Sequence, residues 1–274
     1  MNTTFKINSN ISFVFFLLTL ILGFLKFYNH LSKDFLTVAA CLFLILTIGV
    51  SHGALDNLKG YKLLKFYKIN NKLLFFVAYI LIASLIIIFW IILPTLMLIL
   101  FLIVASYHFG KEDCWGITLQ KSNFNILIFF LKGSLIILAP LLFNFNETLI
   151  IFDTLGIKDN GFYNLLNILN KNDFLLSFVI ISIISILFIT QKLVELTRLF
   201  IDTICILILF DSFNPLIAFT IYFCFLHSVR HSASLITELK INLNSFIKKA
   251  LPLTIITAFF FLIGLYVLTS FQSS

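Results

Sequence analysis

The chain has 274 residues, 61% hydrophobic and 11% charged, with a mean hydropathy of +1.09 and a formal net charge of +7. A soluble domain carries about 45–50% apolar and about 25% charged residues, so these values exclude an ordinary soluble fold and leave little room for a separate soluble domain. The basic residues lie in short intervals between apolar segments and form no basic-aromatic module, which argues against nucleic acid as a partner.

A spanning helix needs about 20 apolar residues. Such stretches run over 11–28, 35–53, 73–93, 94–110, 124–144, 174–190, 195–211, 214–235 and 250–270. They predict an all-α, polytopic transmembrane bundle of about nine spans, with residues 1–274 as a single integral membrane domain. The N-terminus has one lysine, an apolar run from Ile11 and no small-residue cleavage site, so the run reads as a first span, not a removed signal peptide. Pro94 and Pro215 fall at segment starts, where a missing N–H is tolerated. Arg198 and Asp202 interrupt the seventh segment. The interval 145–173 is the longest polar one, and its short apolar piece from Leu149 to Leu155 suits the membrane interface. Cys41, Cys114, Cys205 and Cys224 are scattered without a CxxC pair and read as buried thiols.

Lys and Arg set the orientation. Lys59, Lys62, Lys65, Lys68 and Lys72 follow the second segment, and Lys111 and Lys121 the fourth. Lys192 and Arg198 follow the sixth, and Lys240, Lys248 and Lys249 the eighth. The opposite loops hold Lys33, Lys158 and Lys171, so the N-terminus is expected in the cytoplasm and the C-terminus outside.

That topology gives the histidines a common depth. The stretch Tyr222 to Ser232, YFCFLHSVRHS, puts His227 and His231 four residues apart. On a helix they share one face, about 6 Å apart along the axis, which is a chelating spacing. Ionisable side chains inside a membrane segment are costly and are functional candidates by default. His52 ends the second segment and His108 ends the fourth, so four of the five histidines fall in the cytoplasmic half. His30, in an outer loop, reads as a surface residue. If the three helices are neighbours, the four imidazoles can meet on one metal. Tetrahedral zinc would then be closed and structural, whereas octahedral Fe(II) would keep two open positions. The alternative is buried polar residues bonding neighbouring helices.

Asp56 follows His52, and Glu112 and Asp113 follow His108. Ligating histidines usually donate their other N–H to a carboxylate, carbonyl or water, which makes Asp56 and Asp113 candidates to orient the ligands. Glu112 reads as a helix-end acid. Arg230 either snorkels to the surface or pairs with a carboxylate. The chain has no HExxH for a zinc peptidase, too few histidines for a di-iron desaturase, and no GxSxG or nucleotide-binding glycine pattern. His227 and His231 share a helix face and cannot sit on opposite faces of a haem, although His52 with His227 can.

HGALD at 52–56, SYHFG at 106–110 with Asp113, and HSVRH at 227–231 resemble the Brp/Blh family of bacterial and archaeal membrane β-carotene 15,15′-dioxygenases. The resemblance covers essentially the whole chain in length, hydrophobicity and motif order. It implies cleavage of the central double bond of β-carotene by O2 into two retinal molecules. It also implies a non-haem Fe(II) held by His52, His108, His227 and His231, a multi-pass location in the cell (inner) membrane among its lipids, and a microbial rhodopsin as retinal acceptor. Ser51 and Asn57 depart from the family pattern, where a proline and a histidine often stand. An apolar polyene of about bilayer thickness needs an apolar tunnel, for which Tyr107, Phe109, Trp115 and Phe223 are candidate lining residues. Aromatic packing between helices is the competing role for each. A non-catalytic carotenoid- or retinal-binding protein, or a rhodopsin assembly factor, needs that tunnel without the metal. A histidine-ligated haem or quinone redox protein is the third reading.

Overall fold

With so few polar side chains and no water in a bilayer core, backbone N–H and C=O groups have to pair within the chain. Among the described residues they do so in helices, with no strand. The structure is a computed structural model that describes residues 3–53, 55–71, 73–120 and 124–272, with the side chains at 50–53, 56–57 and 267–272 outside the described set. In chain order the helices are α1 (Thr3–Phe27), α2 (Val38–Gly53), α3 (Asp56–Phe66), α4 (Leu73–Ile92), α5 (Pro94–Asp113), α6 (Asn125–Phe143), α7 (Phe145–Thr154), α8 (Asn160–Lys171), α9 (Phe174–Ser185), α10 (Leu193–Ser212), α11 (Pro215–Tyr222), α12 (Ser228–Leu239) and α13 (Leu243–Gln272). A π-helical turn, Phe223–His227, separates α11 from α12.

Among the described residues five helices are long and apolar enough to cross a membrane: α1, α4, α5, α6 and, over Leu243–Tyr266, α13. A bent pair, α8 followed by α9 and its 3-10 turn at 74°, makes a sixth if it is one span. The remaining predicted segments are helical but shorter or more polar. α2 has 16 residues. α10 carries Glu195, Arg198, Asp202 and Asp211. The eighth predicted segment, expected as one helix over 214–235, is divided by the π turn and runs on to Leu239.

The chain forms two units, Met1–Phe35 with Ile86–Tyr222, and Leu36–Leu85 with Phe223–Ser274. In the first, α1 packs on α10 by an inverted pattern. Its buried positions are Phe5, Asn8, Ser12, Phe15 and Thr19, at alternating steps of three and four, while Phe13, Val14, Leu17 and Ile21 are exposed. Such a stripe is one helix face, and it includes the polar Asn8, Ser12 and Thr19. Ser12 Oγ donates to Asp202 at 3.4 Å, and Arg198 Nη1 lies 3.7 Å from the same carboxylate. Leu98, Leu141, Phe152, Ile157, Leu166 and Leu175 form the core beneath α7 and α8. Asp159 caps α8 by accepting the Phe162 N–H at 3.1 Å, satisfying one of the unpaired donors of the first turn. The interval 145–173, read as an interfacial stretch, is therefore two short helices, and α8 buries Leu166 in this core.

In the second unit, α2 packs on α12, α13 and the π turn. Leu55, Leu235, Phe246 and Ala250 form its core. Glu238 on α12 reaches Lys59 and Lys62 on α3 at 3.4 and 3.8 Å.

Candidate functional site

SYHFG lies near the end of α5, which stays helical through Gly110 to Asp113. Ser106, Gly110 and Asp113, at i, i+4 and i+7, share one face. That face lies against α6. A Cβ placed on Gly110 would fall 1.8 Å from the Phe129 carbonyl oxygen, and one on Gly133 would fall 1.8 Å from the Ser106 carbonyl oxygen. Only residues without a Cβ allow two backbones this close, as small-residue pairs do between membrane helices. His108 is two residues from both Ser106 and Gly110, so it projects from the side of α5 roughly opposite α6, at about 100° per residue. It is half-buried.

The same α5–α6 face holds a buried ion pair. Lys132, next to Gly133, places Nζ 2.9 Å from Asp113 Oδ2, and both side chains are buried. Tyr222, the last residue of α11, donates its hydroxyl to the Asp113 carboxylate at 3.2 Å. Arg198 Nη2 donates to the Asp113 carbonyl at 3.3 Å. A carboxylate taken out of water needs a cation and hydrogen bonds, and Asp113 has both here. The proposed ligand-orienting residue Asp113 is thus anchored to Lys132 and Tyr222.

The aromatic residues beside His108 pack within this unit. Phe109 sets its ring edgewise on Tyr222 at 5.7 Å and on Phe219 at 6.2 Å. Tyr107 meets Phe129 at 6.4 Å, with Lys111 Nζ 5.7 Å from its ring centroid. The Trp115 carbonyl accepts from the Asn8 side-chain amide.

In the second unit, His227 closes the π turn and has helical backbone angles, so His227 and His231 keep the spacing of one α-helical turn. They are 0% and 7% exposed. The Phe223 ring stacks on the His227 imidazole at 5.6 Å and 21°. Phe223 also fits against Gly49 of α2, where a Cβ would lie 2.7 Å from the ring. Neither Gly nor Pro occurs in FCFLH, so the widened turn follows from packing, and the space that Gly49 leaves admits the ring. Arg230, between the two histidines in sequence, is fully buried and does not snorkel to a surface. Three residues beyond Gly49, His52 lies in α2, but its side chain is outside the described residues. The Asp56 side chain is likewise outside them. Its backbone opens α3, a new helix after α2 ends at Gly53.

Among the described residues no group of three or more His, Cys, Asp or Glu side chains is arranged to hold a metal ion. His52 falls outside that set, and His108 belongs to the first unit whereas His227 and His231 belong to the second. What the second unit offers is a buried pair of imidazoles one turn apart, a donor set that fits a first-row divalent metal. All four cysteines are buried and free, as expected.

Sequence reasoning passed over Lys132. It is the one ionisable side chain in the apolar α6, and the rule that drew attention to His227 and His231 applies to it equally.

No curated protein and no solved structure matches the chain. The family model for beta-carotene 15,15′-dioxygenase matches residues 43–274, a region that contains the HGALD, SYHFG and HSVRH motifs, and the chain belongs to that family.

Proposed function

We propose that the protein is a membrane β-carotene 15,15′-dioxygenase that cleaves the central double bond of β-carotene with O2 to give two retinal molecules. The family match over residues 43–274 carries this reading. Fe(II), held by His52, His108, His227 and His231, would supply the site at which O2 is activated. The buried imidazoles of His227 and His231 support that assignment, since their surroundings exclude water from two ligand positions. Phe223, stacked on His227, restricts rotation of that ring. Asp56 and Asp113 are proposed as the carboxylates behind the ligands, Asp113 through the helix it anchors. Tyr107, Phe109, Trp115 and Phe223 are proposed to line the polyene path. The chain is proposed to cross the cell membrane about nine times with its N-terminus in the cytoplasm, as its Lys and Arg distribution favours, and to release retinal to a microbial rhodopsin.

Co-expression in cells that accumulate β-carotene tests the activity. Loss of the orange colour with appearance of retinal is expected, and unchanged pigment refutes the reading for this substrate. Metal analysis of the purified chain tests the site. About one iron per chain is expected, lost in His227→Ala and in His231→Ala, because neutral imidazoles are its ligands. Full iron occupancy in both variants would remove these residues from the ligand set.

A further inference from the structure

We propose that Asp113, Lys132 and Tyr222 are positioning residues, a buried cluster that sets the rotation of α5 behind His108 and fixes the residue at which α11 gives way to the π turn. The iron part of this proposal rests on the function proposed above. Three observations within the first unit carry it. The carboxylate, the ammonium and the phenol are buried together, with Lys132 Nζ 2.9 Å and Tyr222 Oη 3.2 Å from Asp113. Asp113 shares the α5 face of Ser106 and Gly110, the face that presses backbone to backbone on α6. Rotation of α5 would therefore break the ion pair and drive Gly110 into Phe129, so His108 is held to one direction. Tyr222 is the last α-helical residue before FCFLH, and its hydroxyl is bonded to the same carboxylate. A π turn adds one residue to a helical turn, so the point where it begins sets the register of every residue after it. The next residues are Phe223, stacked on His227, and His227 itself.

Tyr222→Phe tests this, because it removes one oxygen and leaves the ring contacts with Phe109 and Phe219 in place. Two readouts are taken on the full chain in native membranes and after purification. The first is alkylation by N-ethylmaleimide at Cys224, in the π turn, against Cys205, in α10, mapped by mass spectrometry. Both are buried, at 1% and 2% exposure. The second is Fe(II) affinity. The expected result is several-fold faster alkylation of Cys224 with Cys205 unchanged, together with Fe(II) binding weaker by about tenfold, the lower end of what residues supporting metal ligands usually contribute. If the wild-type chain holds no iron but Cys224 still opens selectively, the positioning role stands and the iron assignment falls. Unchanged Cys224 reactivity overturns the proposal whatever happens to iron. Equal acceleration at Cys224 and Cys205 also overturns it, because that is general loosening. A second variant, Lys132→Met with Asp113→Leu, guards against misfolding by leaving no unpaired charge, and it removes the acceptor of the Tyr222 hydroxyl. It is expected to fold and to open Cys224 as Tyr222→Phe does, and wild-type protection of Cys224 there would refute the cluster.

Discussion

Gly110→Ala is the sharpest test of how the SYHFG segment is held. The added Cβ would stand 1.8 Å from the Phe129 carbonyl oxygen, 2.7 Å from its carbon and 2.9 Å from the Gly133 nitrogen. All three are backbone atoms, so no side-chain rotamer can relieve the clash. Carbon and oxygen rest at roughly 3.3 Å even in their closest favourable contacts, so α5 and α6 must part by about 1.5 Å. A movement of that size carries Lys132 Nζ, now 2.9 Å from Asp113, out of hydrogen-bond reach. Overpacking costs about 1–3 kcal/mol, and the better helix propensity of alanine returns up to about 1 kcal/mol. The effect on function should be larger, since a misplacement of about 1 Å costs on the order of 100-fold in rate. The measurement pairs thermal unfolding of the purified protein with retinal formed per milligram of protein. Gly264→Ala on α13 is the control, because a Cβ there meets nothing within 4 Å, and it should leave both unchanged. If Gly110→Ala melts with the wild type and makes wild-type amounts of retinal, the close approach of α5 and α6 is not what holds the motif.

Two further outcomes follow from the ion pairs. Lys132→Met leaves the buried Asp113 carboxylate without its cation and should cost about 3–5 kcal/mol, whereas Lys132→Met with Asp113→Asn should recover most of that loss in the same unfolding assay. Lys33 and Glu147 form an exposed pair at 3.2 Å, and Glu147's own backbone N–H, then Lys33, hold its carboxyl below the ordinary 4.5. Because the folded value is depressed, this contribution is complete above about 4.5 and is lost as the pH falls through the folded value. Both side chains are about 40% exposed, so Lys33→Gln should cost only about 0.3 kcal/mol at neutral pH, and its melting curve should merge with the wild type in acid.

Helix was legible in the sequence wherever apolar residues run long, and each of the nine predicted stretches is helical. Apolar length did not report what interrupts a helix from outside. The π turn at Phe223–His227 has no Gly or Pro of its own, and the feature that accommodates it, Gly49, lies far away in sequence on α2. The histidine pair was legible because its spacing is local. The partners of Asp113 were not, because a carboxylate five residues after His108 invites a local pairing. Its cation instead comes from the next helix and its phenol from α11.

Polar residues in these helices obey the same periodicity as apolar residues in soluble ones, with the sign reversed. Asn8, Ser12 and Thr19 mark the buried face of α1. On α5 the corresponding set is Ser106, Gly110 and Asp113, and each is small or polar in a helix whose exposed face carries Leu96, Ile99, Leu100, Phe101, Ile103 and Val104. The short motif SYHFG therefore carries two kinds of information on two faces. Ser106 and Gly110 supply the contact with α6, and with Asp113 they fix the helix about its axis. His108 occupies the other side and depends on that contact for its direction. Substitution at Gly110 should consequently impair stability and retinal output together. His108→Ala should abolish output while leaving the α5–α6 contact, and with it the melting temperature of the iron-free protein, unchanged.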